Sequence, residues 1–459
     1  MVDAILLARL QFAFSMSFHI LFPSLSIGLV TFIAFVEYLW LKTNDIIYYR
    51  LARFWTKIFA LTFGMGVVSG IVMEYQLGTN WSGFTEQVGG VLGSLFTYEV
   101  MTAFFVEAGS LGVMLFGWKK VGPKLHFFST IMVALGTTIS AYWIMCANTW
   151  MQHPVGYQLV NGHLAVSSWS TILTNPLLAS RFLHMLFASY VSSLLVVAGV
   201  SGYYLLKNKH SDFAKKGFSI AWICLTIIVP LQLIVGDVNG AQVFKYQPIK
   251  TAAMEGIWQS GTGQPLLLFA QPDQEKQMNR YEVKIPKFAS FINTHDWNGY
   301  MPGLKSVPKD EQPHVSTVFW TFRIMVGLGI VILFAAIASL YLRFSKKLYS
   351  CSPFLIGSIM ISPFGLMAIE AGWVTSEVGR QPWSVYNLLK TSESVSHVTR
   401  DHILVSFILI IIVYGIIFGW FYSRFLRRII INGPRPLAEL DVYDQPFQYM
   451  SSAINNSKK

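Results

Sequence analysis

The sequence predicts an all-α integral membrane protein with nine transmembrane helices, its N-terminus outside, its C-terminus inside and one long external loop. Composition is the first reason. Of the 459 residues 53% are hydrophobic and 12% charged, with a mean hydropathy of +0.49, too apolar for a soluble globular domain. The second is a series of apolar runs at 13–38, 56–76, 93–117, 127–148, 182–206, 217–236, 317–342, 353–374 and 403–425. A helix needs about 20 residues to cross the hydrocarbon layer, and a backbone in lipid must satisfy its own hydrogen bonds, so each run is read as a helix. The third is charge. Lys42, Arg50, Arg53 and Lys57 follow the first run, and Lys119, Lys120 and Lys124 the third. Lys207, Lys209, Lys215 and Lys216 follow the fifth, Arg343, Lys346 and Lys347 the seventh, and Arg424, Arg427, Arg428 and Arg435 the ninth. The short connections 77–92 and 149–181 hold only Arg181. Positive charge on alternate connections sets the orientation.

The same distribution excludes a nucleic-acid partner. A net charge of +11 is spread between helices and forms no single patch. Cys146, Cys224 and Cys351 are far apart and lack CxxC spacing, so neither a disulfide framework nor a zinc site is indicated. The opening MVDAILLARLQF has no basic n-region and no small-residue cleavage site, and the first run is read as a retained signal anchor. Four regions result: residues 1–236 with six helices, a polar external connection at 237–316, three helices in 317–430 and a cytoplasmic tail at 431–459. No repeat of fixed period is present, and "NTHDWNGYMPGLKSVPKDEQP" is too polar for a tenth span.

Ionisable groups inside apolar runs are costly and point to function. His19 lies in "SFHILFPSL", Glu99 and Glu107 in "TYEVMTAFFVEAG", His184 in "SRFLHML", Arg323 and Met325 in "FWTFRIMVGLG", and Glu370 near the end of run eight. Glu99 and Glu107 are two turns apart and separated by about 80° around a regular helix. Singly, each residue has a plainer reading: a histidine bonded in packing, a core methionine, a neutralised acid, or an acid paired with Arg323. Together, His19, Glu99, His184, Met325 and Glu370 fall toward the outer side on five helices. Haem iron takes axial His, Met or an oxygen ligand; a His/Met pair suits electron transfer, and a single ligand leaves a position open for oxygen. His184 with Met325 suits the first role, and His19 and Glu370 the second. Arg9, Lys57 and Arg323 suit haem propionates, although Lys57 also reads as one of the inside charges.

The segments "ARLQFAFSMSFHILFPSL", "FWTKIFALTFGMGVVSGIVMEYQLGTNW", "YEVMTAFFVE", "ANTWMQHPVG", "KYQPIKTAAMEGIW", "FWTFRIMVGLG" and "IEAGWVTSEVGRQPW" resemble subunit I of the cytochrome bd family of quinol oxidases, including its cyanide-insensitive branch. The resemblance covers nearly all of the first 430 residues. It implies a subunit of the bacterial inner membrane that oxidises ubiquinol or menaquinol and reduces O2 to water. Proton motive force would then arise by charge separation without a pump. It implies a low-spin haem b held by His184 and Met325, with His19 and Glu370 serving a high-spin haem b and a haem d, or a further haem b in its place. It does not say which ligand serves which. Glu99 and Glu107 would lie beside the oxygen-reducing haems on a proton route, Lys250 and Glu255 in the quinol loop would act in quinol oxidation, and Arg323 would stabilise charge around the low-spin haem. The family pairs this chain with a subunit II and in some members a small single-helix third subunit.

The sequence departs from the family where GRQPW continues as "SVYNLLKT", with Asn387 and Lys390, and where Leu366 replaces a tryptophan of some members. The stretch between "KIPKFASF" and "FWTF" is short, marking a compact quinol loop. Within GRQPW, Pro382 ends helix, Arg380 suits a propionate or carboxylate, and Trp383 suits the membrane interface. Two rival readings remain: an ion-coupled secondary transporter built on Glu99, Glu107, Glu370 and Arg323, and an electron relay that does not reduce O2. The transporter predicts inverted repeats, which the sequence lacks.

Overall fold

The computed structural model describes residues 3–435. Its helices follow the apolar runs but extend beyond them: α1 (Ala4–Thr43), α2 (Ile46–Thr79) and α3 (Ser82–Glu99), which passes through a π-helical turn at Val100–Phe104 into α4 (Phe105–Phe116). Next come α5 (Pro123–Gln152), a hairpin of β1 (Tyr157–Val160) and β2 (His163–Val166), α6 (Trp169–Leu173), α7 (Leu178–Leu206) and α8 (Ser211–Tyr246). Among the described residues nine helical stretches are long and apolar enough to cross a membrane, as the sequence predicts.

The connection predicted at 237–316 is shorter than expected, and it is structured. The α8 helix runs ten residues past the predicted limit at 236, so the connection begins at Gln247. It holds α9 (Pro248–Glu255), β3 (Gly261–Thr262), a hairpin of β4 (Leu266–Asp273) and β5 (Met278–Ile285), α10 (Phe288–Thr294) and β6 (Tyr300–Met301), which pairs with β3. Gly256 ends α9 at φ +70, where any Cβ would also press on the Phe319 ring. The connection is fastened to α11 (Val315–Phe344) by Arg323, whose Nη1 donates to Met254 O at 2.5 Å and whose Nε donates to Leu267 O at 2.7 Å.

The eighth crossing is split into α12 (Ser352–Met360) and α13 (Phe364–Val378). Pro363 explains the break, because it lacks an N–H and cannot continue the hydrogen-bond ladder. Beyond it lie β7 (Trp383–Val385), β8 (Leu389–Lys390), α14 (Thr391–Ser394) and α15 (Arg400–Tyr414). A second π-helical stretch, Gly415–Tyr422, leads into α16 (Ser423–Asn432). The predicted tail from 436 onward lies outside the described residues.

Small residues on α7 let the bundle close. Ser189, Ser192, Ser193 and Ser201 are fully buried, and a glycine from another helix faces each of them: Gly28 of α1 meets Ser189 and Ser193, Gly365 of α13 meets Ser192, and Gly217 of α8 meets Ser201. Helices in lipid gain little from burying apolar surface, so such close backbone approach is what packs them. Around this seam lie Leu29, Trp55, Phe59, Leu195 and Trp222, while Ile71, Phe105, Phe334 and Ile412 point outward as an exposed apolar surface.

Gly28→Val is therefore expected to weaken assembly. A Cβ at position 28 would lie 2.5 Å from Ser189 O, and overpacking of this kind costs about 1–3 kcal/mol. Gly64→Ala, whose Cβ meets nothing within 4 Å, is the control. Thermal melting of the purified complex checks the contrast: a lowered midpoint for the first and an unchanged one for the second.

Candidate functional site

The serine seam sets the depth of the predicted ligands. Gly28 lies level with the turn between Ser189 and Ser193, and Gly365 with Ser192. Counting back at about 1.5 Å per residue brings His19, His184 and Glu370 within about one helical turn of a common level. Met325 reaches the same level through α13, since a Cβ at Gly372 would lie 2.7 Å from its Sδ.

These side chains stand against a glycine or carry a buried polar atom without a partner. His19 Nδ1 lies 2.9 Å from Ser69 Oγ, which fixes the ring and leaves Nε2 available for coordination. Gly70 lies beneath that ring, where a Cβ would stand 3.3 Å from Cε1. His184 stands against Gly236 in the same way, at 3.2 Å, and its Nδ1 is buried without a hydrogen-bond partner. Glu370 Oε1 is also buried without a partner. Among the described residues no three His, Cys, Asp or Glu come close enough to hold a bare metal ion. Single, separated candidate ligands suit haem, whose macrocycle supplies the equatorial nitrogens itself.

Charge gives a second test of fit. Arg181, Lys250 and Arg380 are all buried, and Arg181 stands three residues before His184 on α7. Arg380 Nη2 donates to Glu377 Oε2 at 2.5 Å, and Asn148 and Gln152 donate to Glu377 Oε1 at 3.0 and 3.1 Å. Arg181 Nη2 donates to Asn148 Oδ1, and Lys250 donates to Gln152 Oε1 and, at 2.7 Å, to Gln247 Oε1. Three cations thus share one carboxylate. Arg181 Nε and Arg380 Nε and Nη1 have no partner at all. Buried, unmatched cationic donors call for anions, and haem propionates supply both the charge and the acceptors. The residues present therefore fit the group. Burial, reinforced by Arg181 and Arg380, holds the Lys250 ammonium well below the ordinary lysine value.

The connection carries a second ion pair. Glu255 Oε2 lies 3.6 Å from Arg323 Nη2, and burial raises the Glu255 carboxyl above its ordinary range against the pull of Arg323 and Asn293. Arg323 also donates to carbonyls of the connection and to Phe319 O of its own helix, and its guanidinium lies over the Phe319 ring, so its observed partners are Glu255, the loop backbone and Phe319.

Glu99 and Glu107 are closer around the axis than a regular helix allows. The π turn between them absorbs one extra residue, reducing the expected 80° to about 20°. Both consequently face α5, where Ser140 Oγ donates to Glu99 Oε1 at 2.8 Å and Gly136 makes room for the Glu107 side chain.

Not every predicted residue joins these groups. Arg9 is exposed on α1, about 15 Å of helix before His19. Lys57 lines a pocket with Arg50, Arg53 and Arg435, about 20 Å along α2 from Gly70, and belongs with the charges of the far end. Trp383 is part-buried at the start of β7, with Lys390 Nζ 5.5 Å from its ring centroid. Sequence reasoning missed Glu377, Asn148 and Gln152, and counted Arg181 only as a topological charge. The signal for Arg181 was its isolation in connections otherwise free of Lys and Arg. For Glu377 it was a spacing of three from Arg380 in "EVGRQPW".

Gly372→Ala is expected to push Met325 aside and, were Met325 the ligand of a low-spin haem, to abolish that haem's signal in reduced-minus-oxidised spectra. Gly236→Ala, with the looser 3.2 Å contact, should shift that signal and leave it present.

The chain matches the family model for "Cytochrome bd terminal oxidase subunit I" over residues 7–434. It is 36% identical to cytochrome bd ubiquinol oxidase subunit 1 of Bacillus subtilis (strain 168), over 93% of this chain and 94% of that one. It is 30% identical to cytochrome bd-II ubiquinol oxidase subunit 1 of Escherichia coli (strain K12), over 90% and 94%. Among solved structures it resembles the bd oxidase from Geobacillus thermodenitrificans, with a TM-score of 0.88 at 29% identity, covering 94% of this chain and 99% of that one. The chain belongs to the cytochrome bd terminal oxidase subunit I family.

Proposed function

We propose that this chain is the haem-bearing subunit of a quinol:O2 oxidoreductase of the bacterial inner membrane, assembled with a subunit II, with or without the small single-helix third subunit that some members of the family carry. Family membership carries the activity. The carrying observation within the chain is the buried cation surplus of Arg181, Lys250 and Arg380 beside His184.

His184 and Met325 are assigned to a low-spin haem b. His19 and Glu370 are assigned to a high-spin haem b and a haem d, or a second high-spin haem b. When bound, the haems supply one-electron transfer and the open coordination position at which O2 is reduced to water. The protein's part is to bind, orient and move protons. Arg181 and Arg380 neutralise propionates. Lys250, at the floor of the connection, is placed to donate a hydrogen bond to a quinol oxygen, and Glu255, kept close by Arg323, to accept the proton that oxygen releases. Supported by the alternation of basic residues, the connection is assigned to the outside. Protons from quinol then leave outside, and Glu99 and Glu107 receive inside protons for water formation. Charge separates across the membrane without a pump. Neither a secondary transporter nor a pure electron relay explains the cation surplus together with two further isolated candidate ligands, His19 and Glu370.

The pH dependence follows from the two shifts in the connection. Glu255 becomes a base only above its raised value, so turnover should climb with pH through that region, and Glu255→Gln should remove the limb. Lys250 loses its charge as pH rises through its lowered value, so quinol KM should rise there. In Lys250→Met, KM should be about tenfold higher and independent of pH, in line with losing one charge-assisted hydrogen bond. Oxygen uptake with a soluble quinol checks both. Wild-type KM and profile in both variants would overturn the assignment.

A further inference from the structure

At the end of the bundle opposite the connection lies a buried acid–base pair outside the site described above. Glu37 of α1 and His126 of α5 are 0% and 2% exposed, and Glu37 Oε1 lies 2.5 Å from His126 Nδ1. His126 Nε2 is 3.0 Å from Met114 O. A carbonyl oxygen only accepts, so Nε2 carries a hydrogen. Nδ1 and Oε1 therefore share one proton, which sits on either atom. The second carboxylate oxygen, Oε2, is buried with no hydrogen-bond partner. Trp118 packs on the imidazole at 3.9 Å between centroids, and Arg53 of α2 lies over the Trp118 ring at 5.2 Å. Lys124 stands two residues before His126.

The pair leads somewhere. On α5 the residues at helical spacing from His126 are Ser129, Thr130, Val133, Gly136, Thr137 and Ser140. They form one stripe of small or hydroxyl side chains with a single apolar member. The stripe ends at the two acids: Gly136 accommodates Glu107, and Ser140 donates to Glu99. The antiparallel register that sets Met114 against His126 and Glu107 against Gly136 places Ser110 of α4 between the levels of Thr130 and Val133, a hydroxyl position on the neighbouring helix beside the one apolar rung. From His126 to Gly136 is about 15 Å of helix.

A structural staple between α1 and α5 would not need this composition. A carboxylic acid and an imidazole deep in an apolar bundle cost free energy that a leucine and a phenylalanine would not, and such pairs in membranes mark proton paths.

We propose that the Glu37–His126 pair is the inner station of the proton route, passing protons along the α5 stripe to Glu107 and Glu99. The inference rests on the assignment of Glu99 and Glu107 as proton carriers. Each proton that leaves the pair toward Thr130 is replaced from the solvent of that end, so the pair returns to one shared proton. Reduction of O2 to water consumes one proton per electron, and the route carries no electrons.

Glu37→Gln keeps the volume and a hydrogen bond but cannot exchange a proton. In the assembled complex it should lower oxygen uptake about tenfold or more, with haem content and the anaerobic rate of haem reduction by quinol unchanged. Glu37→Asp should recover at least half the rate. Wild-type uptake in Glu37→Gln, or haem content lost in step with uptake, would overturn the proposal. Should Glu37→Gln fail to assemble, Thr130→Val decides, because it is isosteric: slowed uptake supports the route and wild-type uptake overturns it. Glu107→Gln separates the two levels of the argument. Full uptake in that variant sinks the carrier assignment and the route with it, whereas slow uptake there beside a fast Glu37→Gln sinks only the inner station.

Discussion

The constraint on which the rest depends is the cost of positive charge in a place from which water and lipid are both excluded. Arg181, Lys250 and Arg380 are buried around one carboxylate, Glu377, with three guanidinium nitrogens unpartnered. Such an arrangement is stable only with anions present. Two propionates would satisfy it, and the surplus lies one helical turn from His184. The same reasoning applies to Glu370, whose unpartnered Oε1 requires iron or a proton for compensation.

The helices hold these groups at one depth by close packing and not by their own hydrogen bonds. The serine seam of α7 and the glycines facing it fix the registers of α1, α8 and α13. Where a regular helix would misplace a side chain, the backbone departs from regularity. The π turn at Val100–Phe104 swings Glu99 and Glu107 onto one face, and the break at Pro363 lets the segment bearing Glu370 start a new helix. Arg323 extends the same economy to the connection by tying the Met254 and Leu267 carbonyls to α11.

Much of this was legible in the sequence, for reasons that also explain the omissions. The nine crossings follow from run length and backbone satisfaction. His19, His184 and Glu370 stand out because a polar group in an apolar run is costly. Met325 carries no such signal and was singled out only in company. Glu377 and Asn148 lie near helix ends, where polar residues are ordinary, and the carbonyl partners of Arg323 belong to a distant segment. The π turn leaves no mark in residue type, because it depends on what α5 offers opposite. The extension of α8 to Tyr246 was missed because its last turns are polar and packed under the connection, so hydropathy ends before the helix does.

The most direct measurement is a pair of spectra, reduced-minus-oxidised and carbon-monoxide difference, on the purified complex containing this chain and its subunit II. The account requires a low-spin haem b together with a haem that reacts with carbon monoxide; a far-red chlorin band would identify the latter as haem d. Intact complex showing no haem signal, or low-spin haem alone, would contradict it.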